Sequence, residues 1–529
     1  MSAAPTSSAR LVPAGGRVCI IGGGTTGLLA AKNCLDEGLE PTIFERTARV
    51  GGVWRLDEDP SRVAYESLYT NSSGCLMNIS DYPLNTSLQG QFPRRQDICS
   101  YYEDYANTFG LERCICFQTE VMSVRREGPL WLVYVQSHLN GHSEERHFHA
   151  IFVCTGQFHE PSVPPSLGIE SFEGRVRHSA SYRQGEDLRG KRVVIVGIGN
   201  SALDISLEAA RCGSHSVVIL CRSGTNIIPV ADYYGRPADQ MLNTRLFGAL
   251  PSTLRNLLFF QLVRGTTAKF RQHGMPPPPK GKDSVGFANL KEHVEYRKLL
   301  ESGRIQFAAG GIASLQGRRV ITTEGEELEA DEVVLCTGYH LSFPFLPSEL
   351  ADSFLARSAG GRRHLNAYKL VMHPAEPTLC ALSFLLTFGN ESCVGEMQAR
   401  WALAHWVGRR PLPSSEEIEA DIARRRSKGK YPQFVTYVAY MDALASACGS
   451  TPDTSWNSFL KTPWLAWKLW CSPVVPAQFR ISGSHAWPEA ADFVKSQPSM
   501  ALRMAELFWA PPDGRSAIPA KPPVPASRL

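Results

Sequence analysis

Several things are scarce or missing in this chain of 529 residues. Its 14 cysteines never form Cys-x-x-Cys, and the nearest pair, Cys114 and Cys116, is one residue apart. That spacing suits neither a redox pair nor a zinc knuckle, so the thiols are expected reduced, in a reducing compartment. No stretch of about 18 uncharged apolar residues occurs, which excludes a spanning helix from the sequence reading. The apolar run near the start is joined directly to a glycine turn, unlike a signal-peptide core. A formal net charge of +4, with 20% charged residues, gives no reason to expect nucleic acid. No Ser-His-Asp arrangement has supporting context, and no spacing suggests metal ligands. His142, His147 and His149 lie in a polar stretch that reads as an exposed hairpin, so no metal is expected.

What the chain does have is a glycine turn written twice. Gly22-Gly23-Gly24-Thr25-Thr26-Gly27 is followed 175 residues later by Gly197-Ile198-Gly199-Asn200-Ser201-Ala202. Each follows a short apolar run, Val18 to Ile21 or Val193 to Val196, and precedes a helix-like stretch. The strand–turn–helix context makes a weak motif a dinucleotide-binding signature. Gly22, Gly24 and Gly27 take the roles of tight turn, close approach to pyrophosphate, and close helix–strand packing. The helix N-terminus behind them offers free N–H groups and partial positive charge to phosphate. Glu45 ends the second strand 21 residues after Gly24, where a carboxylate accepts hydrogen bonds from ribose hydroxyls.

The second unit differs at the corresponding place. Arg222 stands 23 residues after Gly199, preceded by Cys221, with no carboxylate there. A carboxylate would repel a 2′-phosphate, whereas an arginine pairs with it, so the second nucleotide is expected to be NADP(H). Two dinucleotides meeting in one chain imply redox chemistry.

The expected fold class is α/β. Two Rossmann-like dinucleotide-binding domains are expected, the second inserted in the first, plus a helical insertion and a C-terminal helical segment. A disordered tail is expected over 1–15, the first part of the first domain over 16–165, and the second domain over 166–335. Strands are expected at Val18 to Ile21, Pro41 to Glu45, Arg192 to Val196, Val217 to Cys221 and Val333 to Cys336. Helices follow the glycine turns at Thr25 to Glu37 and Ser201 to Cys212. Pro161, Pro164 and Pro165 mark the inter-domain crossing. From about 231 to 300 the pattern leaves the Rossmann plan, with an apolar helical segment and an extended Pro276 to Pro279 run. The first domain is expected to resume over 336–445, a helical segment to occupy 446–515, and a proline- and alanine-rich disordered tail to close the chain over 516–529. Gly51-Gly52-Val53-Trp54 supplies glycines where backbone could approach a cofactor. Cys154-Thr155-Gly156 and Cys336-Thr337-Gly338-Tyr339 read as paired strand-end turns.

The string Phe172-Glu-Gly174-Arg-Val-Arg-His178-Ser-Ala-Ser-Tyr182 resembles the fingerprint of class B flavoprotein monooxygenases. Its ending looks like the flavin-containing, dimethylaniline N-oxide-forming branch. The Baeyer–Villiger branch usually ends the motif with Trp-Pro, and Tyr182-Arg183 departs from that. The resemblance covers roughly Arg17 to Trp487.

The resemblance implies FAD in the first domain, with Gly52 and Trp54 on its flavin side, and NADPH in the second. It implies transfer of one oxygen atom of dioxygen, from a C4a-hydroperoxyflavin, to the nitrogen of a small-molecule amine or the sulfur of a sulfide. Asn71, within Tyr69-Thr70-Asn71-Ser72-Ser73, resembles the family asparagine that faces the flavin. Asn200 and Ser201 match positions near the bound nicotinamide nucleotide. Thr337 and Gly338 belong to the second strand-end turn, and Gln398 resembles a nicotinamide-pocket position. His178 is expected to hold the hinge between the domains. The cofactor does the chemistry while the protein positions it and keeps it dry. Alternatives stay open: Baeyer–Villiger oxidation of ketones, or a non-catalytic NADP-binding redox sensor. A disulfide reductase is disfavoured by the missing Cys-x-x-Cys.

Related animal enzymes resemble membrane-attached proteins, usually with a hydrophobic C-terminal helix. This chain's proline-rich end cannot insert as one. Trp456, Leu460, Trp464, Trp467 and Trp470 recur near helical spacing with Lys461 and Lys468 among them, and Pro463 splits the stripe into two expected helices. The stripe suits either peripheral contact with the cytoplasmic side of the endoplasmic reticulum membrane or packing against the insertion or a substrate tunnel. The sequence leaves oligomeric state open, a homo-oligomer included.

Overall fold

The structure is a computed structural model and describes residues 10–56, 63–164, 168–231, 237–278, 287–358, 361–427 and 432–501. Pro165, Pro279 and the expected 516–529 tail lie outside these residues. In chain order the first unit opens with β1 (Arg17–Ile21), α1 (Thr25–Asp36), β2 (Glu40–Phe44), β3 (Ile115–Cys116) and β4 (Ala150–Val153). The second opens with β5 (Arg175–His178), β6 (Arg192–Val196), α2 (Asn200–Arg211) and β7 (Ser216–Cys221). It continues through β8 (Asn226–Pro229), α3 (Ala238–Leu242), α4 (Arg245–Ala249), α5 (Ser252–Gln272), β9 (Phe287–Leu290), β10 (Ile305–Ala309) and β11 (Glu332–Leu335). Then come β12 (Leu379–Ala381), α6 (Glu391–Trp406), α7 (Trp456–Lys461) and α8 (Pro463–Cys471).

Two five-stranded sheets form the frame, one ordered β12-β4-β1-β2-β3 and the other β10-β7-β6-β11-β5. Every pairing in both is parallel. Parallel sheets are buried on both faces, and the strands read accordingly as continuous apolar runs: Val18, Cys19, Ile20 and Ile21 in β1, Val193, Val194 and Ile195 in β6 are all buried. The glycine turns fall where apolar runs end and helices begin, at the carboxyl ends of β1 and β6, where α/β sheets hold their ligands.

The first core joins residues from Val12 to Cys154 with residues from Leu341 to Val494, so the chain returns to it after the second sheet. The second sheet is covered on its two faces by separate clusters, one containing Tyr182 and Tyr296 and the other Phe172 and Leu315. Residues 10–15 are not part of a loose tail. Val12 is fully buried, and the N–H groups of Leu11 and Val12 both bond the Trp406 carbonyl. The region of the expected insertion folds as α3, α4 and α5, with β9 pairing parallel to β8. The histidine stretch forms an antiparallel strand, Ser143–Phe148, against Leu130–Ser137.

The tryptophan stripe forms two helices split at Pro463, as its proline dictates. Trp456 and Leu460 are 85% and 84% exposed, while Lys468 is buried and bonds the Gln497 carbonyl. Of the two lysines in the stripe, Lys461 is exposed and Lys468 is turned inward. Among the described residues no helix is long and apolar enough to cross a membrane.

Candidate functional site

Each glycine turn is built the same way. The Gly22 N–H bonds the Phe44 carbonyl at 2.9 Å, and the Gly197 N–H bonds the Leu220 carbonyl at 2.9 Å. Both glycines lie in the left-handed region, with φ of +107° and +116°. A Cβ on Gly22 would come within 2.7 Å of the Cys154 carbonyl oxygen, and one on Gly197 within 2.5 Å of that of Cys336. The Cys154-Thr155-Gly156 and Cys336-Thr337-Gly338 turns therefore hold equivalent places against the two glycine turns. Gly27 packs its helix onto the strand, since a Cβ there would sit 2.0 Å from the Gly22 oxygen.

A backbone cradle stands in front of α1. Gly24 is its N-cap with no side-chain cap, so the first-turn N–H groups keep their donor capacity for a ligand. Gly52, at φ +54°, brings a second strand of backbone to the same place, and a Cβ on it would lie 3.0 Å from Gly24 Cα. The close approach at Gly52 is to the backbone of Gly24. Trp54 follows, half-buried, its carbonyl 3.4 Å from the Arg95 guanidinium. Glu45 is 7% exposed at the end of β2. Its Oε2 accepts from the Gly23 N–H at 2.7 Å, and its Oε1 from the Thr47 N–H at 3.0 Å. The carboxylate is thereby fixed beside the glycine turn, with lone pairs left for further donors.

The second cradle is more open. Gly199 caps α2 with no side-chain cap, and nothing lies within 4 Å of a Cβ built on it. Asn200 accepts the Asn289 N–H on its side-chain oxygen at 2.8 Å, tying the start of α2 to β9. Ser201 is half-buried in the first turn. Arg222 is exposed just past β7, its stem 3.6 Å from a Cβ built on Gly311. These groups fit a dinucleotide: a glycine-lined backbone approach, a helix N-terminus, and a charged side chain past the second strand.

The fingerprint residues are structural. Phe172 is buried, and Gly174 could take no Cβ without meeting the Phe172 ring at 2.5 Å and the Asp331 carbonyl at 2.6 Å. His178, at the end of β5, donates from Nε2 to the Gly338 carbonyl at 3.0 Å and accepts the Ala180 N–H on Nδ1 at 3.1 Å. Burial holds its pKa below the ordinary value, against the Gly338 carbonyl, which favours the charged form. Tyr182 is fully buried and donates to Glu208 on α2 at 2.7 Å. Thr337 bonds the Ser162 carbonyl, and the Gly338 carbonyl also accepts the Ser162 N–H at 2.8 Å. His178 and this turn meet where the chain crosses between the two sheets.

Asn71 is exposed, while Thr70, Ser72 and Ser73 around it are buried. Gln398 departs from its expected place. It is fully buried in α6, its Nε2 donating to the Leu370 carbonyl at 3.1 Å and to Tyr440 at 2.9 Å, its Oε1 accepting the Ser383 N–H at 2.7 Å. Both of its amide protons are thus used inside the first core, which leaves it no free donor for a nicotinamide.

Three residues near the first cradle, Ser392, Gln157 and Glu391, escaped the sequence reading. Thr25 and Ser392 place their hydroxyls 2.8 Å apart, which brings the start of α6 to the start of α1. Gln157 donates to Glu391 at 3.1 Å, and burial pushes the Glu391 carboxyl up to about 7. The sequence signal was Asn390, whose side chain caps α6 by accepting the Ser392 N–H.

Comparisons place this geometry among known proteins. The family model for flavin-binding monooxygenase-like proteins matches residues 15–506. The chain is 32% identical over 507 residues to rat (Rattus norvegicus) dimethylaniline monooxygenase (N-oxide-forming) 2, covering 92% of each. It is 30% identical to human (Homo sapiens) flavin-containing monooxygenase 2, again over 92% of each. Among solved structures it resembles the S-allyl-L-cysteine S-oxygenase of Allium sativum, with a TM-score of 0.60, 24% identity, and 85% and 94% of the two chains covered. An open cyclohexanone monooxygenase structure gives 0.61 at 18% identity, covering 82% and 98%. These structural likenesses speak to the fold.

Proposed function

Because this chain belongs to the flavin-binding monooxygenase-like family, we propose that it oxygenates a soft nitrogen or sulfur centre of a small molecule, giving an N-oxide or S-oxide. It is a monooxygenase and a flavoprotein, with FAD and NADPH as its cofactors. What supports the nitrogen or sulfur reading is the likeness to the N-oxide-forming relatives together with the Tyr182-Arg183 ending of the fingerprint. The contrast between a clasped Glu45 and an exposed Arg222 supports FAD in the first unit and NADPH in the second.

Gly22, Gly24, Gly27 and Gly52 would admit the FAD pyrophosphate, with Glu45 accepting from its ribose hydroxyls and Trp54 beside the flavin. Gly197, Gly199, Asn200 and Ser201 would hold NADPH, and Arg222 would pair with its 2′-phosphate. Bound FAD, reduced by NADPH, supplies the activation of dioxygen. Asn71 would present its amide to the reacting end of the cofactor, and His178 with Thr337 and Gly338 would hold the crossing between the units.

The test is turnover by the purified yellow protein with NADPH, oxygen and three probes: a tertiary amine, an aryl methyl sulfide and a cyclic ketone. N- or S-oxide formed in proportion to NADPH supports the reading. Lactone from the ketone alone replaces it with Baeyer–Villiger chemistry.

Trp456, Leu460 and Trp464, exposed on α7 and α8, support a peripheral contact with a membrane surface. Co-sedimentation with anionic liposomes, lost in a Trp456→Ser, Leu460→Ser, Trp464→Ser variant, is the expected result.

A further inference from the structure

Asn71 belongs to the first unit by chain position, yet the second unit holds the backbone on both sides of it. Two residues before it, the Tyr69 carbonyl accepts from the Lys291 ammonium at 3.0 Å. Two residues after it, the Ser73 N–H donates to Asp239 Oδ2 at 2.6 Å. Lys291 directly follows β9, and Asp239 is the second residue of α3. Both segments come from the insertion.

Neither contact is a loose surface bridge. The Lys291 side chain is 2% exposed, bonds Asp204 on α2 at 2.8 Å, and lies 4.2 Å above the Tyr69 ring. Asp204 also accepts from the Tyr65 hydroxyl at 2.5 Å. Within the turn, the Thr70 hydroxyl donates to the Ser72 carbonyl at 2.7 Å, so the segment between the two grips has little freedom of its own. Charge-assisted bonds of this kind to backbone groups fix direction as well as distance.

We propose that Lys291 and Asp239 are positioning residues: the insertion of the second unit grips the backbone on either side of Asn71 and sets the direction in which its amide meets the cofactor. This rests on the reading of Asn71 given above. A side chain that faces a cofactor is only as well aimed as the groups that hold it, and displacement of about 1 Å is enough to cost activity heavily. The clamp acts on no substrate atom. Its loss shows as NADPH consumed without product.

The experiment measures product and hydrogen peroxide per NADPH in the flavin-loaded enzyme, with an aryl methyl sulfide as the probe. Asp239→Ala is expected to raise the peroxide fraction about five-fold or more, and Asp239→Asn, which keeps an acceptor for Ser73, to return it within about two-fold of the parent. The paired change Lys291→Met with Asp204→Asn removes the other grip without leaving a buried charge alone, and is expected to uncouple similarly. The deciding arm is the Asn71→Ala background. There Asp239→Ala adds no further uncoupling if it acts through Asn71, whereas an additive increase overturns the clamp. If Asn71→Ala itself stays fully coupled, the reading of Asn71 fails and the clamp with it. If Asn71→Ala uncouples while Asp239→Ala and the paired change stay coupled, the clamp alone is overturned.

Discussion

The two nucleotide units share a plan down to single hydrogen bonds, and they diverge where a ligand would tell them apart. In both, the first glycine is pressed by a cysteine carbonyl and its N–H bonds the end of the second strand. The third motif position is Gly27 in one, where a Cβ would strike backbone, and buried Ala202 in the other. The strand end carries Glu45, 7% exposed and clasped by two backbone N–H groups, against an exposed Arg222. The first unit's turn is closely packed by Glu45 and Gly52; the second is open in front of Gly199. A seat built that way suits a cofactor that stays, and the open one suits a nucleotide that binds, reacts and leaves.

The strongest way to break this comparison is to add one methyl group to each unit, at the third motif position of the first and at the second motif position of the second. Gly27→Ala sets a Cβ 2.0 Å from the Gly22 oxygen. Forced overlap with backbone costs about 3 kcal/mol or more, and the expected product is unstable or colourless protein, read by melting temperature and flavin absorbance. Gly199→Ala meets nothing within 4 Å. It is expected to fold yellow, with only its NADPH affinity reduced. Equal damage from both would remove the distinction between closed and open seats. Next in size is Arg222→Ala. Losing a charge-assisted hydrogen bond of about 1.5–3 kcal/mol raises KM for NADPH roughly 10- to 150-fold and leaves NADH unaffected. A variant that still prefers NADPH would take the 2′-phosphate away from Arg222.

Much of this frame was legible because strand, glycine turn and helix are local in sequence. β6 begins at Arg192 and ends at Val196, as its apolar run and glycine boundary predict, and α2 begins one residue before the expected Ser201. What was not legible is non-local. Nothing in Gln398's neighbourhood tells that Leu370, Ser383 and Tyr440 will use up its amide. Nothing near Asn71 announces Asp239 or Lys291, which arrive from 168 and 220 residues downstream. Residues 10–15 fall within the tail expected over 1–15, yet Val12 finds the first core and two N–H groups find Trp406. Composition reports a segment's average, whereas one buried valine and two hydrogen bonds decide its order.

The two units meet on either side of Asn71, which sharpens the comparison from the other side. Loss of a hydrogen bond worth about 1–3 kcal/mol predicts uncoupling about 5- to 150-fold faster in Asn71→Ala, with NADPH still consumed and peroxide released. Peroxide and product assays on one sample check it. Full product per NADPH would leave the first unit's contribution limited to holding the cofactor.

The smallest expected effect lies in the joint itself. Burial pushes the Asp239 carboxyl up to about 6, against the lowering effect of hydrogen bonds from Ser73 and Gln240. The groups packed against it are neutral: Ser73, Gln240 on its own helix, and the Cys75 thiol, itself held well above its ordinary value by burial. An acid whose pKa is higher folded than unfolded binds its proton in the folded state first. Its stabilising share is therefore complete below about pH 4 and declines as pH rises toward 6, then stays level. Asp239→Asn carries no such proton and keeps the acceptor for the Ser73 N–H. The difference in unfolding free energy between parent and variant should shift by about 1–3 kcal/mol across that window, with the parent losing ground as pH rises. A pH-independent difference would mean that Asp239 titrates normally. The insertion would then reach the first unit through a solvated contact, and the two seats would be joined more loosely than the buried geometry indicates.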